Sequence, residues 1–170
     1  MTLGYYHSTY FLILKIAQKE RIKMENCFFE FEINNEDKFK KLQDFYYAIK
    51  LSKDQEIIIS SDSKWIDHFD EDTLMKFWWP SSEEIEEYAR LWTETPVEER
   101  FTCAALQHPW DFESMIDAFA NGEYHFVSCE KLSERKGRIE YNPWCWPYGG
   151  ADSFRALIEY HGFKILRENI

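Results

Sequence analysis

Apolar side chains recur along this chain at two different periods, and no single kind of element can accommodate both. From Phe28 to Ile33 they alternate, with Phe29, Phe31 and Ile33 on one side and Glu30 and Glu32 on the other. Period two predicts a half-buried strand. From Glu36 to Leu51 they fall at Phe39, Leu42, Phe45, Tyr46 and Ile49. That spacing predicts a helix, with Asn34 and Asn35 ahead of it as caps and Glu36 and Asp37 suited to its first turn. A chain that keeps switching between these periods must pack helices on a sheet.

The interleaving continues to the C-terminus. Three β-branched residues in a row, Ile57, Ile58 and Ile59, predict a central strand. Trp65, Ile66 and Phe69 suit a helical turn, and Asp70 can cap a short helix carrying Leu74, Phe77 and Trp78. Ser81 with Glu84 forms a capping box ahead of a helix whose inward face would be Ile85, Tyr88, Ala89 and Trp92. Thr95-Pro96-Val97-Glu98 repeats that signal, with Pro at the first helical position, and predicts a helix to about Gln107. Asp111 can cap a helix burying Phe112, Met115, Ile116 and Phe119, which Asn121-Gly122 ends.

Glu123 to Cys129 alternates again, with Tyr124 and Phe126 facing in, and Arg138 to Tyr141 is a second short strand. Ser133 to Gly137 between them predicts a hairpin turn of more than two residues. A last helix, Ala151 to His161, buries Phe154, Leu157 and Ile158. Gly162 terminates it, and a strand follows over Phe163–Leu166. There is no strict βαβ repeat, and at least one neighbouring strand pair reads as antiparallel. The expected fold is therefore α+β, a single domain with a mixed or antiparallel sheet and helices packed on it.

The 170 residues suffice for one core, and 18% of them are aromatic, so few positions can supply much of the burial. Trp65, Trp92, Phe126, Phe154 and Leu157 are expected to be mostly buried. We assign residues 24–170 to the domain. Residues 1–23 are either an upstream extension, Met24 opening a more ordinary start, or a short docking helix with Tyr10, Ile13, Leu14 and Ala17 on its apolar face. The apolar run Tyr10–Ala17 is too short to span a bilayer. Lys15, Lys19, Arg21 and Lys23 lie within or after it rather than before it, which is not a secretory pattern. Cys27, Cys103, Cys129 and Cys145 form no Cys-x-x-Cys pair, and reduced thiols in a cytoplasmic protein are expected.

The net charge of −11 is concentrated in the middle of the chain. Residues 60–99 carry 12 acidic and 3 basic side chains, whereas residues 1–59 balance at 9 of each. Such a surface repels phosphates, so neither nucleic acid nor a membrane surface is an expected partner. A basic protein partner is. Asp70, Asp72, Glu83, Glu86 and Glu87 are the candidate contact carboxylates, and Trp78 and Trp79 are the candidate apolar anchors beside them.

A second candidate is the segment Trp144, Trp146, Tyr148, Gly149 and Gly150 leading into the last helix. Its glycines would let the backbone approach a ligand, and its aromatics would wall a pocket, although Asp152 can itself cap that helix. Cys145 lies outside the first turn, so the helix N-terminus does not activate it as a nucleophile. The five histidines show no metal spacing, and no Walker, Gly-x-Gly-x-x-Gly, Gly-x-Ser-x-Gly or His-Glu-x-x-His motif occurs. No catalytic group, metal or cofactor is assigned. In size, acidity and aromatic content the chain resembles bacterial immunity proteins that neutralise basic toxins, a likeness of composition that no motif carries. The expected function is a non-enzymatic interaction module for a basic protein. The alternative is a small-molecule binding domain or enzyme at the Trp144–Gly150 loop. Oligomeric state is not legible.

Overall fold

The computed structural model describes residues 26–57, 59, 63–143 and 150–170. Expectations for residues 1–23, Ile58 and Trp144 to Gly149 lie outside the described residues. Four strands, β1 (Cys27–Glu32), β2 (Tyr124–Ser133), β3 (Lys136–Pro143) and β4 (Lys164–Asn169), form one sheet in the order β2-β3-β1-β4. Every neighbouring pair is antiparallel. Five α-helices accompany it among the described residues: α1 (Glu36–Asp54), α2 (Glu71–Leu74), α3 (Ser82–Glu94), α4 (Phe112–Asn121) and α5 (Ala151–Tyr160). Two 3₁₀ turns, Ser63–His68 and Ala104–Leu106, complete the set. The fold is α+β.

One face of the sheet is the floor of the core. Phe29, Phe31, Tyr124, Phe126, Cys129, Ile139 and Tyr141 are buried there against Phe39, Leu42, Phe45, Tyr46 and Ile49 of α1. Phe119 of α4 and Phe154, Leu157 and Ile158 of α5 close the layer. Gly137 on β3 has a specific reason: a Cβ there would sit 2.6 Å from the Phe31 ring. The edge at β2 is blunted by α1, whose Gln43 Nε2 donates to Cys129 O at 2.7 Å and whose Tyr47 hydroxyl accepts from Cys129 N at 3.3 Å.

The other face is a ladder of paired charges. Glu30, only 6% exposed, is covered by its neighbours' side chains rather than sunk in the core. It pairs with Arg138 and with Lys136. Phe28 lies between the Arg138 and Arg167 guanidiniums, 4.5 and 5.2 Å from its ring centroid.

Helix ends follow local chemistry. Asn35, Asp70, Ser81 and Asp111 cap α1 to α4 through their side chains, and Ser81 and Glu84 complete the reciprocal capping box. At α5 the expectation fails: Gly150, left-handed at φ 49°, occupies the cap, while Asp152 sits in the first turn and pairs with Arg155. Helices α1 and α5 end alike. Glu56 (φ 54°) and Gly162 (φ 83°) adopt the left-handed conformation just past each end. Ile57 N then donates to Ser52 O at 2.9 Å and Phe163 N to Ile158 O at 3.2 Å.

That first bond explains one correction. Ile57 does not begin a strand, because its N–H is spent closing α1 and its side chain faces solvent. The hairpin is tighter than expected: Ser133 pairs with Lys136 across Glu134 and Arg135, a two-residue turn. The helix expected over Pro96–Gln107 is a succession of turns and one 3₁₀ turn. Val97 and Phe101 face water, so no buried stripe rewards propagation of a helix there. Of the five expected core residues, Trp65, Phe126, Phe154 and Leu157 are buried, but Trp92 is 38% exposed.

Candidate functional site

The misplaced Trp92 belongs to an arm, residues 79–109, that leaves and re-enters the body at one point. Trp78 N donates to Trp110 O at 3.0 Å, and Trp78 bridges Asp111 in parallel, so both ends of the arm are pinned together. Trp110 N in turn donates to the Tyr160 hydroxyl of α5 at 2.9 Å. Across this neck the Trp78 and His108 rings stack 4.4 Å apart at 12°. Tyr88 of α3 meets both, at 5.8 and 5.7 Å, and Trp92 stacks on Tyr88 at 6.1 Å. Leu106 is the buried residue of the arm. The main core takes its side chains from Phe77 and then from Trp110 onward, with none between.

Helix α3 therefore rests on the neck through Tyr88 and on the Ala104–Leu106 turn, with Leu91 half-buried, and none of its 13 residues is buried. The inward face expected for Ile85, Ala89 and Trp92 is not inward. Ile85 is 53% exposed, and Ala89 is exposed beside it. Beyond the helix, Arg100 covers part of Trp92: its guanidinium lies 4.9 Å from the ring centroid and its Nε donates to Thr95 O at 3.1 Å. The turn that follows presents Phe101 at 80% exposure, held by Gln107 Nε2 donating to Arg100 O and Phe101 O at 3.4 and 3.3 Å.

The candidate carboxylates divide into two sets on different elements. Asp70 and Asp72 both reach Lys38 of α1 at 3.5 Å. Burial pushes the Asp70 carboxyl up, but hydrogen bonds from Thr73 and the Lys38 ammonium outweigh it and hold the group below its ordinary range. These two acids are thus engaged in capping and pairing within the body. Glu83, Glu86 and Glu87 ride on α3 and are exposed. Glu87 shares Arg90 with Glu94, at 2.7 and 2.5 Å, and the Arg90 hydrogen bond holds its carboxyl low. Glu83 is held low by its own backbone N–H and by Ser81 at the helix N-terminus. Of the candidate anchors, Trp78 is half-buried in the neck. Trp79, 52% exposed, stacks on Phe112 at 5.6 Å and donates to Leu74 O at 2.9 Å.

The second candidate is represented among the described residues by Gly150 alone. It lines a shallow cavity of about 330 Å³ between the end of α4 and the start of α5, with Trp110, Ala118, Tyr124 and Ser153. Asp117 and Asp152 also line it, so its walls offer carboxylates rather than cations. Trp144, Trp146, Tyr148 and Gly149 fall outside the described residues.

Titratable groups elsewhere are engaged in holding the fold. The Lys53 ammonium closes the C-terminal end of α4 by donating to Phe119 O and Gly122 O at 3.0 and 2.7 Å. Lys76 does the same for α5 at Glu159 O and Tyr160 O. His161 is buried; its Nδ1 bonds Leu157 O at 2.8 Å, and burial lowers its pKa to about 4. Among the described residues no three His, Cys, Asp or Glu side chains converge as metal ligands, and no helix is long and apolar enough to cross a membrane.

Residues the sequence reading missed are Ile85, Ala89, Val97 and Phe101 as exposed apolar groups. The available signal was the thinness of the apolar face after Pro96, where Val97 and Phe101 are followed only by Ala104 and Ala105 at helical spacing. Searches against protein-family models, curated proteins and solved structures each find no match to this chain.

Proposed function

We propose that this chain is a non-enzymatic interaction module that contacts a basic protein through the acidic arm. The observation that carries this reading is α3, an amphipathic helix of 13 residues that buries none of them in its own chain. Residues 80–108 hold seven glutamates and two arginines, so the arm attracts cationic surfaces and repels anionic ones. Trp79, Ile85, Val97 and Phe101 supply the apolar contact that charge alone does not provide. Cys27, Cys103 and Cys129 are free thiols, which suits a reducing, cytoplasmic setting.

The test is affinity capture from the source cell at low and high salt. The wild-type chain should retain a basic protein that a Glu83→Lys/Glu86→Lys/Glu87→Lys variant loses, with the melting temperature of the two chains nearly equal. Identical captures by both would remove the acidic surface from consideration. A second reading, small-molecule binding, is favoured by the cavity beside Gly150. A fragment whose binding is abolished by Gly150→Trp, with the arm intact, would bring that reading forward.

A further inference from the structure

Helix α3 presents its apolar residues in an arrangement more specific than a patch. Its contact with the neck runs through Tyr88, which leaves Ile85 and Ala89 exposed and Trp92 open on the edge that Tyr88 and Arg100 do not cover. These are positions i, i+4 and i+7, so they form one straight seam about 10 Å long. The middle position is an alanine. A large–small–large seam admits the side chains of a second helix into the notch over Ala89 and lets the axes approach closely.

The shoulder of that seam is acidic. Glu86 lies about 100° round the helix from Ile85, with Ser82 and Thr93 beside it, on the side away from Tyr88. Arg90, the one cation of α3, is held on the far face between Glu87 and Glu94. The seam thus has a carboxylate shoulder at Glu86, with Arg90 turned away and the Arg100 guanidinium lying over the Trp92 ring at its far end. A second copy of this chain would bring five glutamates against five, which disfavours self-pairing. Val97 and Phe101, on the turn that follows, extend the apolar surface past the end of the helix.

Resting on the reading of the arm as the contact surface, we infer that the Ile85–Ala89–Trp92 seam docks an amphipathic helix of the partner, with the partner's lysines or arginines alongside Glu86. The mode is helix against helix, with the apolar seam giving affinity and the flanking charge selecting the partner.

The experiment uses the full chain and two fluorescein-labelled peptides of about 20 residues, long enough for a stable helix. Both contain only lysine and leucine in equal proportion. One places leucine at helical i, i+3, i+4, i+7 spacing, and the other spreads the leucines round the helix. The patterned peptide should bind at least about tenfold tighter by fluorescence anisotropy and should gain helical circular dichroism on binding. Ile85→Asp and Ala89→Arg should each weaken it about tenfold or more with an unchanged melting temperature, because both sites are exposed and arginine is a good helix former. Leu51→Gln, which alters an exposed apolar residue of α1, should leave binding as it was.

Equal binding of the two peptides overturns the helix seam while the acidic-arm reading stands. Binding of neither at low salt overturns both. An equal loss in Leu51→Gln shows that the peptide sits elsewhere and overturns the seam. A dimer in sedimentation equilibrium that Ala89→Arg dissociates makes the occupant a second copy and overturns the basic partner.

Discussion

Helices α4 and α3 are similarly amphipathic in sequence and end in opposite circumstances. Each begins with a side-chain cap, at Asp111 and at Ser81. Helix α4 buries Phe112, Met115, Ile116 and Phe119 against α1, α5 and the sheet, whereas α3 buries nothing. Amphipathicity is written in the order of residues along one element; burial depends on what stands opposite. In the body each apolar stripe meets another one. In the arm, α3 meets only Trp78, His108 and the turn segment that follows it, too little surface to cover a two-turn stripe. The contrast marks which apolar stripes the chain covers by itself and which it leaves exposed.

The largest effect that tests this division is a truncation on each side of it. Phe154 is fully buried against Phe119, Tyr124, Phe126 and Tyr141. Phe154→Ala should lower the unfolding free energy by about 3–5 kcal/mol in urea titrations. Phe101→Ala in the arm should stay within about 0.5 kcal/mol of wild type. Comparable losses at the two sites would mean that the arm is part of the cooperative core.

Acid should act on the body first. His161 is buried between Phe69 and Phe163, with Asp70, Lys38 and Lys76 as the nearest charges, and its pKa falls to about 4 through burial. The unfolded chain therefore binds a proton near pH 6.5 that the folded chain refuses until about pH 4. Stability is fully present above about pH 6.5 and declines as pH falls toward 4, by on the order of 3 kcal/mol from this group. A His161→Leu variant should lose that slope between pH 6.5 and 4 in thermal melts. Persistence of the slope would assign it to His68, whose pKa burial also lowers, since the lowered carboxylates Glu30 and Asp70 act further down the scale.

Within the arm the corresponding change is local. Ser81→Ala removes the capping box and should destabilise α3 by about 1 kcal/mol. The loss should appear as faster amide exchange over residues 82–94, with α1 and the sheet unchanged. Faster exchange throughout would show that arm and body open together.

The smallest expected effect is a gain. Helices α1 and α5 end in the same motif, with Gly162 in the left-handed position of one and Glu56 in that of the other. Glu56→Gly should raise stability by about 0.5–1 kcal/mol, since glycine adopts that conformation without steric penalty. Gly162→Ala should lower it by a similar amount, its φ being 83°. A loss in Glu56→Gly would locate an interaction of the Glu56 side chain that outweighs the backbone strain.

What the sequence determined on its own is everything decided within about one helical turn or one strand repeat. The caps at Asn35, Asp70, Ser81 and Asp111, the stop at Gly162, and the inward sides of β1, α1, α4 and α5 all rest on bonds and spacings between near neighbours. Tertiary structure alone decided the rest. Ile57 lost its strand to a backbone bond that ends α1, and the turn segment after Pro96 had no surface on which to extend as a helix. The candidate acids were divided because Lys38, far away in sequence, draws Asp70 and Asp72 to α1. Trp92 and Ile85 followed the same logic: their spacing defines a stripe, but the pinning of Trp78 to Trp110 decides which elements face it. A hydrophobic period fixes which residues share a side, and only the meeting of distant segments fixes whether that side is covered.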